Sequence, residues 1–230
     1  MKRRIVVSDI HGMLDLFKKT LKDVKYNSKE DQLIILGDFV DRGNKIFETV
    51  EYVIQLQKEG NVIALLGNHD DMLLDAIEDY RYRQSQNWSY NGGGATAKSY
   101  GDNKVGLDYH RRWFESLPLS YEDEDFFYCH AGIDPLVDLD KQERNTLIWT
   151  REEFFNSPVK MPKPIMFGHT PQQGGYKFFP NGCLGIDAGL VYYGGMLSVV
   201  IEDGSLAINY STKNKFVKAV EYDLDNLPNW

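Results

Sequence analysis

The stretch LIILGDFVDRG, residues 33–43, joins four consecutive apolar residues to a turn that carries two carboxylates and a guanidinium. A short apolar run bounded by a turn is typical of a buried strand. Directly after this strand, Asp38, Asp41 and Arg42 stand close together. Alone, the Asp41–Arg42 pair would favour an ordinary salt-bridged turn. Beside similar strand ends elsewhere in the chain, the same residues would suit a site that binds a cation next to an anion.

Two further strands and three helices are predicted around this stretch. Runs of β-branched and aliphatic residues predict strands within 3–9 and 61–70, and apolar residues at helical spacing predict a helix after each strand. The helix-spaced positions are Leu14, Phe17, Leu21 and Val24; Ile46, Val50, Val53 and Ile54; and Met72, Leu73, Ala76, Ile77 and Tyr80. Regular alternation of strand and helix predicts right-handed crossovers and a parallel sheet.

The rest of the chain has a different pattern. The polar and aromatic segment 81–121 contains three glycines at 92–94, which predict either a tight turn or a backbone wall beside a phosphate pocket, followed by a short helix. Closely spaced strands and turns then indicate antiparallel hairpins. The predicted strands lie within 126–132, 165–170, 183–189, 196–202, 205–210 and 215–222. We interpret residues 1–230 as one α/β domain with an antiparallel-rich C-terminal half.

Composition excludes several classes of protein. The chain has 230 residues, of which 42% are hydrophobic and 13% aromatic, as expected for a globular protein. A net charge of -8 argues against a nucleic-acid partner. The two cysteines, Cys129 and Cys183, are predicted to be buried thiols in a reducing compartment. Since no signal peptide or membrane helix is predicted, we expect a cytoplasmic protein without a membrane partner. We also expect a monomer.

Five strand ends carry polar residues and glycine, in the motifs SDIHG, GDFVDRG, GNHD, HAG and GHT. In open α/β sheets, ligands bind beyond the carboxyl ends of the strands, so these motifs are expected to converge. Four of the five histidines lie in them, and packing alone seldom gives such a distribution. They are His11, His69, His130 and His169, whereas His110 lies outside and is interpreted as a packing or helix-surface residue.

The residue types of these motifs favour a pair of transition-metal ions. Asp9 and His11 are two apart, so an extended chain would direct both side chains to one metal. Mixed Asp, His and Asn ligands suit Mn, Fe or Zn. Two metals about 3.5–4 Å apart need a shared ligand, and the two oxygens of Asp38 could supply it. Asp70 and Asp71 are interpreted only as caps of the following helix.

In this order, the five motifs resemble the signature set of the phosphoprotein phosphatase branch of the calcineurin-like metallophosphoesterases. Three more segments resemble the bacteriophage lambda phosphatase type: NGGG (91–94), LIWTRE (147–152) and IDAGLVYYGGML (186–197). The resemblance implies the calcineurin-like metallophosphoesterase fold, a central β-sandwich of two mixed sheets flanked by helices in four α/β/β/α layers.

The resemblance also implies a role for each motif residue. Two divalent metal ions, with Mn preferred and Fe or Zn as alternatives, would be held by Asp9, His11, Asp38, Asn68, His130 and His169, with Asp38 bridging. Arg42 and Arg151 would hold phosphate oxygens, and Asn68 and His69 would also contact the phosphate. His69 would be the general acid, oriented by Asp41, and a hydroxide held by both ions would attack phosphorus in line. Apart from its motif, Arg151 could instead pair with a neighbouring Glu.

The implied activity is a phosphoserine/phosphothreonine phosphatase that also accepts small phosphate esters, and the alternative is a dinucleoside tetraphosphate hydrolase. The symmetrical tetraphosphatase group has Ala at the position of Asp41, which favours the protein phosphatase. A nuclease of the superfamily would carry a second His at the position of Pro171. A non-enzymatic relative would have lost ligands, and every expected ligand is present here.

Overall fold

The structure is a computed structural model that describes residues 2–79 and 86–228. The predicted contribution of Tyr80 to the third helix, and residues 81–85 of the middle segment, lie outside the described residues.

The N-terminal part alternates strands and helices as predicted. Its elements are β1 (Arg4–Val7), α1 (Leu14–Asp23), β2 (Gln32–Ile35), α2 (Ile46–Glu59), β3 (Asn61–Ala64) and α3 (Asn68–Glu78). The three strands pair in parallel, with Ile5 opposite Leu33 and Leu33 opposite Val62. The apolar stripe of α1 is buried at Leu14, Phe17 and Leu21, which explains why this segment forms a helix on the sheet.

The middle segment is helical. It forms α4 (Gln86–Tyr90), α5 (Gly93–Tyr100) and α6 (Lys104–Glu115). The sequence pattern predicted one short helix here, and three are described. The side chain of Asn103 accepts a hydrogen bond from the backbone N–H of Gly106 at 3.0 Å, which caps the first turn of α6.

The remaining elements supply most of the strands. They are β4 (Ser120–Glu122), β5 (Phe127–Cys129), α7 (Arg144–Trp149), α8 (Glu152–Phe155), β6 (Ile165–Phe167), β7 (Lys177–Phe179), β8 (Cys183–Gly185), α9 (Leu190–Tyr193), β9 (Gly195–Glu202), β10 (Ser205–Thr212) and β11 (Phe216–Asp223). The six strands predicted in this half are present. Strands β4 and β7 were not predicted, and each is an edge strand that pairs with a single neighbour in its sheet.

The strands form two mixed sheets that pack face to face. One has the order β11-β10-β9-β1-β2-β3 and the other the order β4-β5-β6-β8-β7. Alternate side chains of each strand point to opposite faces. Val6 and Ile34 of the first sheet therefore meet Tyr128, Met166 and Leu184 of the second in a buried layer.

The outer faces of both sheets are covered by helices. Ile5 and Val7 pack in one core cluster with residues of α1, α2 and α3. Phe127 and Cys129 pack in another with residues of α7 and α8. The predicted four-layer α/β/β/α fold is thus confirmed.

Both cysteines have the burial that the sequence predicted, and burial raises the pKa of the Cys129 and Cys183 thiols. Among the described residues, no helix has the length and apolar character needed to cross a membrane.

Candidate metal centre

The loops that follow β1, β2, β3, β5 and β6 meet at one edge of the sandwich, and several of their residues have a left-handed backbone. The φ angle is 46° at His11, 56° at Asp38, 67° at Asp41, 67° at Arg42 and 60° at His169. Positive φ is uncommon for residues other than glycine. Strain of this kind is found mainly at functional sites, where the surrounding structure holds it.

Asp38 lies in the middle of this edge, and its two oxygens face different histidines. Oδ2 is 3.5 Å from Nε2 of His11, and Oδ1 is 3.5 Å from Nε2 of His130. Oδ1 also accepts a hydrogen bond from the backbone N–H of His69 at 2.9 Å. Burial and the charge of Asp9 raise the pKa of Asp38, and a bound cation would oppose both effects.

His11 and His130 are held in the tautomer that a metal requires. Nδ1 of His11 lies 2.7 Å from the carbonyl oxygen of Val40, and Nδ1 of His130 lies 2.7 Å from that of Leu36. Since a carbonyl only accepts, each Nδ1 carries the proton and each Nε2 keeps its lone pair. Metal-binding histidines are commonly oriented in this way.

Among the described residues there are two groups of potential ligand atoms, and within each group all atoms lie within 4.8 Å of one another. One contains His11, Asp38 and His69, and the other contains Asp38, His130 and His169. Nε2 of His169 is buried without a hydrogen-bond partner. A buried unpaired group costs about 1–3 kcal/mol unless something binds it. The donor types and their sharing of Asp38 therefore fit two cations.

Asp9 and Asn68 lie beside these groups. Oδ2 of Asp9 is 4.0 Å from Nε2 of His11. The other oxygen of Asp9 accepts hydrogen bonds from the Ser8 hydroxyl and from the backbone N–H of His169. Oδ1 of Asn68 is 2.9 Å from Nε2 of His130. The structure thus brings together all six predicted ligands, whose roles stay predictions.

Two hydrogen bonds to one oxygen of Asp9 favour the ionised form of its carboxylate. Burial raises the pKa of Asp9, but the neighbouring His130 and His11 and the hydrogen bonds from Ser8 and His169 outweigh burial. The pKa of Asp9 is therefore below its usual range, as a metal ligand requires.

Arg42 lies over the same edge. Its Nη1 donates to Nε2 of His11 at 3.1 Å, and its Nη2 donates to Nε2 of His69 at 2.9 Å. Both histidine lone pairs therefore point towards the same place. A planar guanidinium here can hold two oxygens of a phosphate.

Arg151, the second predicted clamp, is exposed at the rim. Its Nη1 donates to Oγ1 of Thr170 at 3.1 Å and to the carbonyl oxygen of His169 at 3.4 Å. These contacts belong to the loop that carries His169. Among the described contacts, Arg151 does not pair with a neighbouring Glu, which was the alternative interpretation.

His69 and Asp41 form a buried pair, as predicted. Nδ1 of His69 is 2.7 Å from Oδ2 of Asp41. Burial raises the pKa of Asp41 to about 6, and burial followed by the charge of Arg42 lowers the pKa of His69 to about 3. The expectation that Asp41 favours a protonated His69 was thus incomplete, because burial and Arg42 outweigh the carboxylate. A phosphate anion on Arg42 would reduce one of these effects.

Thr96 was missed in the sequence. Its hydroxyl donates to Oδ1 of Asp41 and accepts from the backbone N–H of Asp41 at 2.9 Å. In the preceding turn, a Cβ on Gly92 would lie only 2.8 Å from Cγ of Arg42. The backbone of the NGGG segment therefore packs closely against the loop that carries Arg42. The signal in the sequence was the glycine run, which pointed to a close approach without indicating Thr96.

Asp70 was interpreted only as a helix cap, and that interpretation is incomplete. One oxygen accepts from the backbone N–H groups of Asp38 and Gly67 at 2.9 and 3.0 Å. The other accepts from Phe39 and Val40 at 2.9 and 3.3 Å. Asp70 thus caps α3 and also holds the loop of Asp38. The cap position hid the second role, which no local pattern reveals.

The structure also shows the surroundings of two buried residues outside the predicted site, His110 and Asp187. His110 is a packing residue, as predicted, and its two ring nitrogens lie 2.7 Å from the Tyr100 hydroxyl and 2.6 Å from Oε1 of Glu51. Asp187 is 5% exposed, and burial together with the charge of Asp9 raises its pKa. Its carboxylate accepts from the backbone N–H of Gly189 at 2.8 Å.

Comparison with curated proteins gives two kinds of relative. A Vibrio campbellii protein named symmetrical bis(5'-nucleosyl)-tetraphosphatase is 36% identical over 135 residues, 59% of this chain and 46% of that protein. A Buchnera aphidicola protein of the same name is 33% identical over 141 residues, 61% of this chain and 48% of that protein. The chain thus spans about half the length of these relatives. Serine/threonine-protein phosphatase 1 of Salmonella typhimurium is 26% identical over 178 residues, 72% of this chain and 77% of that protein.

The fold has solved counterparts, and a family model covers most of the chain. A cold-active protein tyrosine phosphatase superposes with a TM-score of 0.70 at 19% identity, over 90% of this chain and 76% of that one. This likeness concerns the fold alone. The model of the calcineurin-like phosphoesterase family matches residues 2–201. The chain, with its sandwich and its paired ligand groups, therefore belongs to the calcineurin-like phosphoesterase family.

Proposed function

We propose that the chain hydrolyses dinucleoside tetraphosphates and uses two divalent metal ions to do so. The observation that carries a dinuclear reaction is Asp38, whose two oxygens face His11 on one side and His130 on the other. The substrate class is supported by the tetraphosphatases of about one-third identity. Placement in the phosphoprotein phosphatase branch stays a prediction.

Six side chains would hold the ions. Asp9, His11 and Asp38 would bind the first, and Asp38, Asn68, His130 and His169 the second. His69 shares a group with His11 and Asp38, but we leave it out because its Nδ1 bonds to Asp41 and its Nε2 faces Arg42. When bound, the two ions would supply positive charge to a phosphate oxygen and lower the pKa of water. Nitrogen and oxygen donors suit Mn²⁺, which we propose first.

The chain itself would bind and orient the phosphate. Arg42 reaches over the ligand groups from one loop, and Arg151 lies at the rim beside His169. Two guanidinium groups on different loops would fix the phosphate from two directions. Helix α3 begins at Asn68, so its positive end also faces this edge.

His69 would hold a proton for the leaving group at Nε2, with Asp41 fixing the tautomer through Nδ1. The leaving group differs between the two candidate substrate classes. A leaving nucleoside diphosphate is a weak base that needs little protonation, whereas a serine alkoxide needs a proton in the transition state. The proton on His69 would therefore matter less for a phosphoanhydride than for a phosphoserine.

A phosphoserine or phosphothreonine phosphatase is the second candidate. Two observations favour it: the chain has Asp41 behind His69, and the Salmonella phosphatase aligns over 72% of this chain. Sequence reasoning alone ranked this activity first. The curated relatives favour the reverse order.

A parallel assay decides between the two candidates. Mn²⁺-loaded protein would be given diadenosine tetraphosphate, a phosphothreonine peptide and p-nitrophenyl phosphate under the same conditions. We expect the highest kcat/KM for diadenosine tetraphosphate, with ADP as the product. A higher value for the peptide would contradict the proposal and support the second candidate.

A further inference from the structure

An exposed aromatic residue stands beside the guanidinium that faces the ligand groups. The ring centroid of Tyr192 is 5.6 Å from Cζ of Arg42, and Tyr192 is 64% exposed. It lies on α9, a single helical turn between two glycines with positive φ, Gly189 at 61° and Gly194 at 71°. Leu190 of the same turn is buried, so this turn anchors one apolar residue and presents the other side to solvent.

A groove adjoins this turn. Its volume is about 560 Å³, which is within the range of small-molecule sites. Two of its lining residues are close in sequence to this pair, because Asn44 follows Arg42 by two positions and Gly194 follows Tyr192 by two. Its lining mixes apolar side chains such as Met13 and Leu14 with polar groups and two lysines, Lys19 and Lys213.

These features match one ligand chemistry. Exposed aromatic side chains next to a site mark a binding surface more often than isolated ones do. One face of the Tyr192 ring lies against Arg42, which would bind phosphate. The ring is therefore placed to stack on the base of a nucleotide whose phosphate Arg42 holds. The groove has room for the sugar and the base edge, and its polar groups can bond to them. A dinucleoside polyphosphate supplies an aromatic ring and an anion in this arrangement.

We propose that Tyr192 stacks on a nucleobase of the substrate and that the adjoining groove receives the nucleoside. This inference rests on the proposed function and identifies the part of the chain that would recognise the nucleoside. Tyr192 would contribute to binding and specificity, and it would take no part in the bond-breaking step.

The test measures binding of ADP and of inorganic pyrophosphate, which lacks the base, to Mn²⁺-loaded protein by calorimetry. The variants are Tyr192→Ala, Tyr192→Phe and the control Tyr109→Ala, an exposed tyrosine whose described contacts are with Lys58 and His110. We expect wild type to bind ADP more tightly than pyrophosphate. Tyr192→Ala should weaken ADP binding roughly 5- to 150-fold, the range that base stacking gives. Pyrophosphate binding should not change, and Tyr192→Phe and Tyr109→Ala should resemble wild type.

Three results of this binding test would overturn the inference. Wild type could bind ADP no more tightly than pyrophosphate. Tyr192→Ala could leave ADP binding unchanged. It could also weaken both ligands equally, which would mean that the ring only orders Arg42. The proposed function is tested separately, by the turnover of diadenosine tetraphosphate by wild type. The hydrolytic activity and the stacking role of Tyr192 can therefore be contradicted independently. If Tyr192→Ala raised KM only for a phosphopeptide, the surface would bind peptide side chains instead.

Discussion

Asp41 connects Thr96 to His69: its Oδ2 lies 2.7 Å from Nδ1 of His69, and its Oδ1 accepts the hydrogen bond of the Thr96 hydroxyl. The carboxylate is fully buried and therefore depends on these two partners. The α5 helix, which carries Thr96, thus contributes to the orientation of a residue at the sheet edge.

Thr96→Val should lower kcat about 10-fold or more, because loss of a buried hydrogen bond costs about 1–3 kcal/mol and loosens Asp41. The bond from Thr96 also lowers the pKa of Asp41, which is about 6. Its removal should raise that pKa, so the acidic limb of the pH–rate profile should move to higher pH. Thr96→Ser should restore both properties. A loss of rate without a shifted limb would indicate a purely structural role.

His69→Asn should retain both metal ions, because the assigned ligands are untouched, and should slow hydrolysis of a phosphothreonine peptide by about 10²–10⁴-fold. Hydrolysis of diadenosine tetraphosphate should slow less, since its leaving group needs less protonation. Rates on both substrates and metal content by atomic emission would check this. Loss of a metal ion would show that His69 is a ligand, as its place in the first group allows.

Asp70→Ala should weaken metal binding about 10- to 100-fold, the usual effect of losing a residue that orients metal ligands. Asp70 bonds to four backbone N–H groups, including those of Asp38 and Gly67. Asp71→Ala is a matched control, since Asp71 pairs with the exposed Arg144. Such pairs contribute about 0–1 kcal/mol. Equal metal affinity in the two variants would contradict the role of Asp70.

His110 should make stability depend on pH. Burial lowers its pKa from 6.5, and the hydrogen bond to Glu51 only partly opposes this. Below about pH 6.5 the unfolded chain therefore binds the proton first, and the folded state loses stability as pH falls. The stability of wild type relative to His110→Gln should decline between pH 7 and 5, by at most about 1.4 kcal/mol per pH unit. Urea unfolding at several pH values would measure it, and a constant difference would contradict the prediction.

Much of the site could be predicted because its ligands follow strands. His11, Asp38, Asn68, His130 and His169 each lie within a few residues of a predicted strand end, and the edge of a parallel sheet brings such positions together. Thr96 could not be found in this way, because it is 55 positions from Asp41 and reaches it only through the packing of α5. The contact of Asp70 with the Asp38 loop was not predicted, because the position of Asp70 at the start of α3 is fully explained by a helix cap.

The same contrast holds for the fold. The helix periods and the long runs of β-branched residues predicted most elements, since each is a repeated local signal. Strands β4 and β7 showed no such signal, and they are recognised only by their pairing with β5 and β8. Their existence depends on tertiary pairing, which no local pattern records.

Asp38 would hold two metal ions in one site, since its two oxygens face His11 and His130. The direct measurement is the number of Mn²⁺ ions bound per chain, by calorimetry and atomic emission, for wild type and Asp38→Ala. We expect two ions for wild type, and for the variant the loss of at least one ion together with the hydrolysis of diadenosine tetraphosphate. A single ion in wild type, or two ions of unchanged affinity in Asp38→Ala, would contradict it.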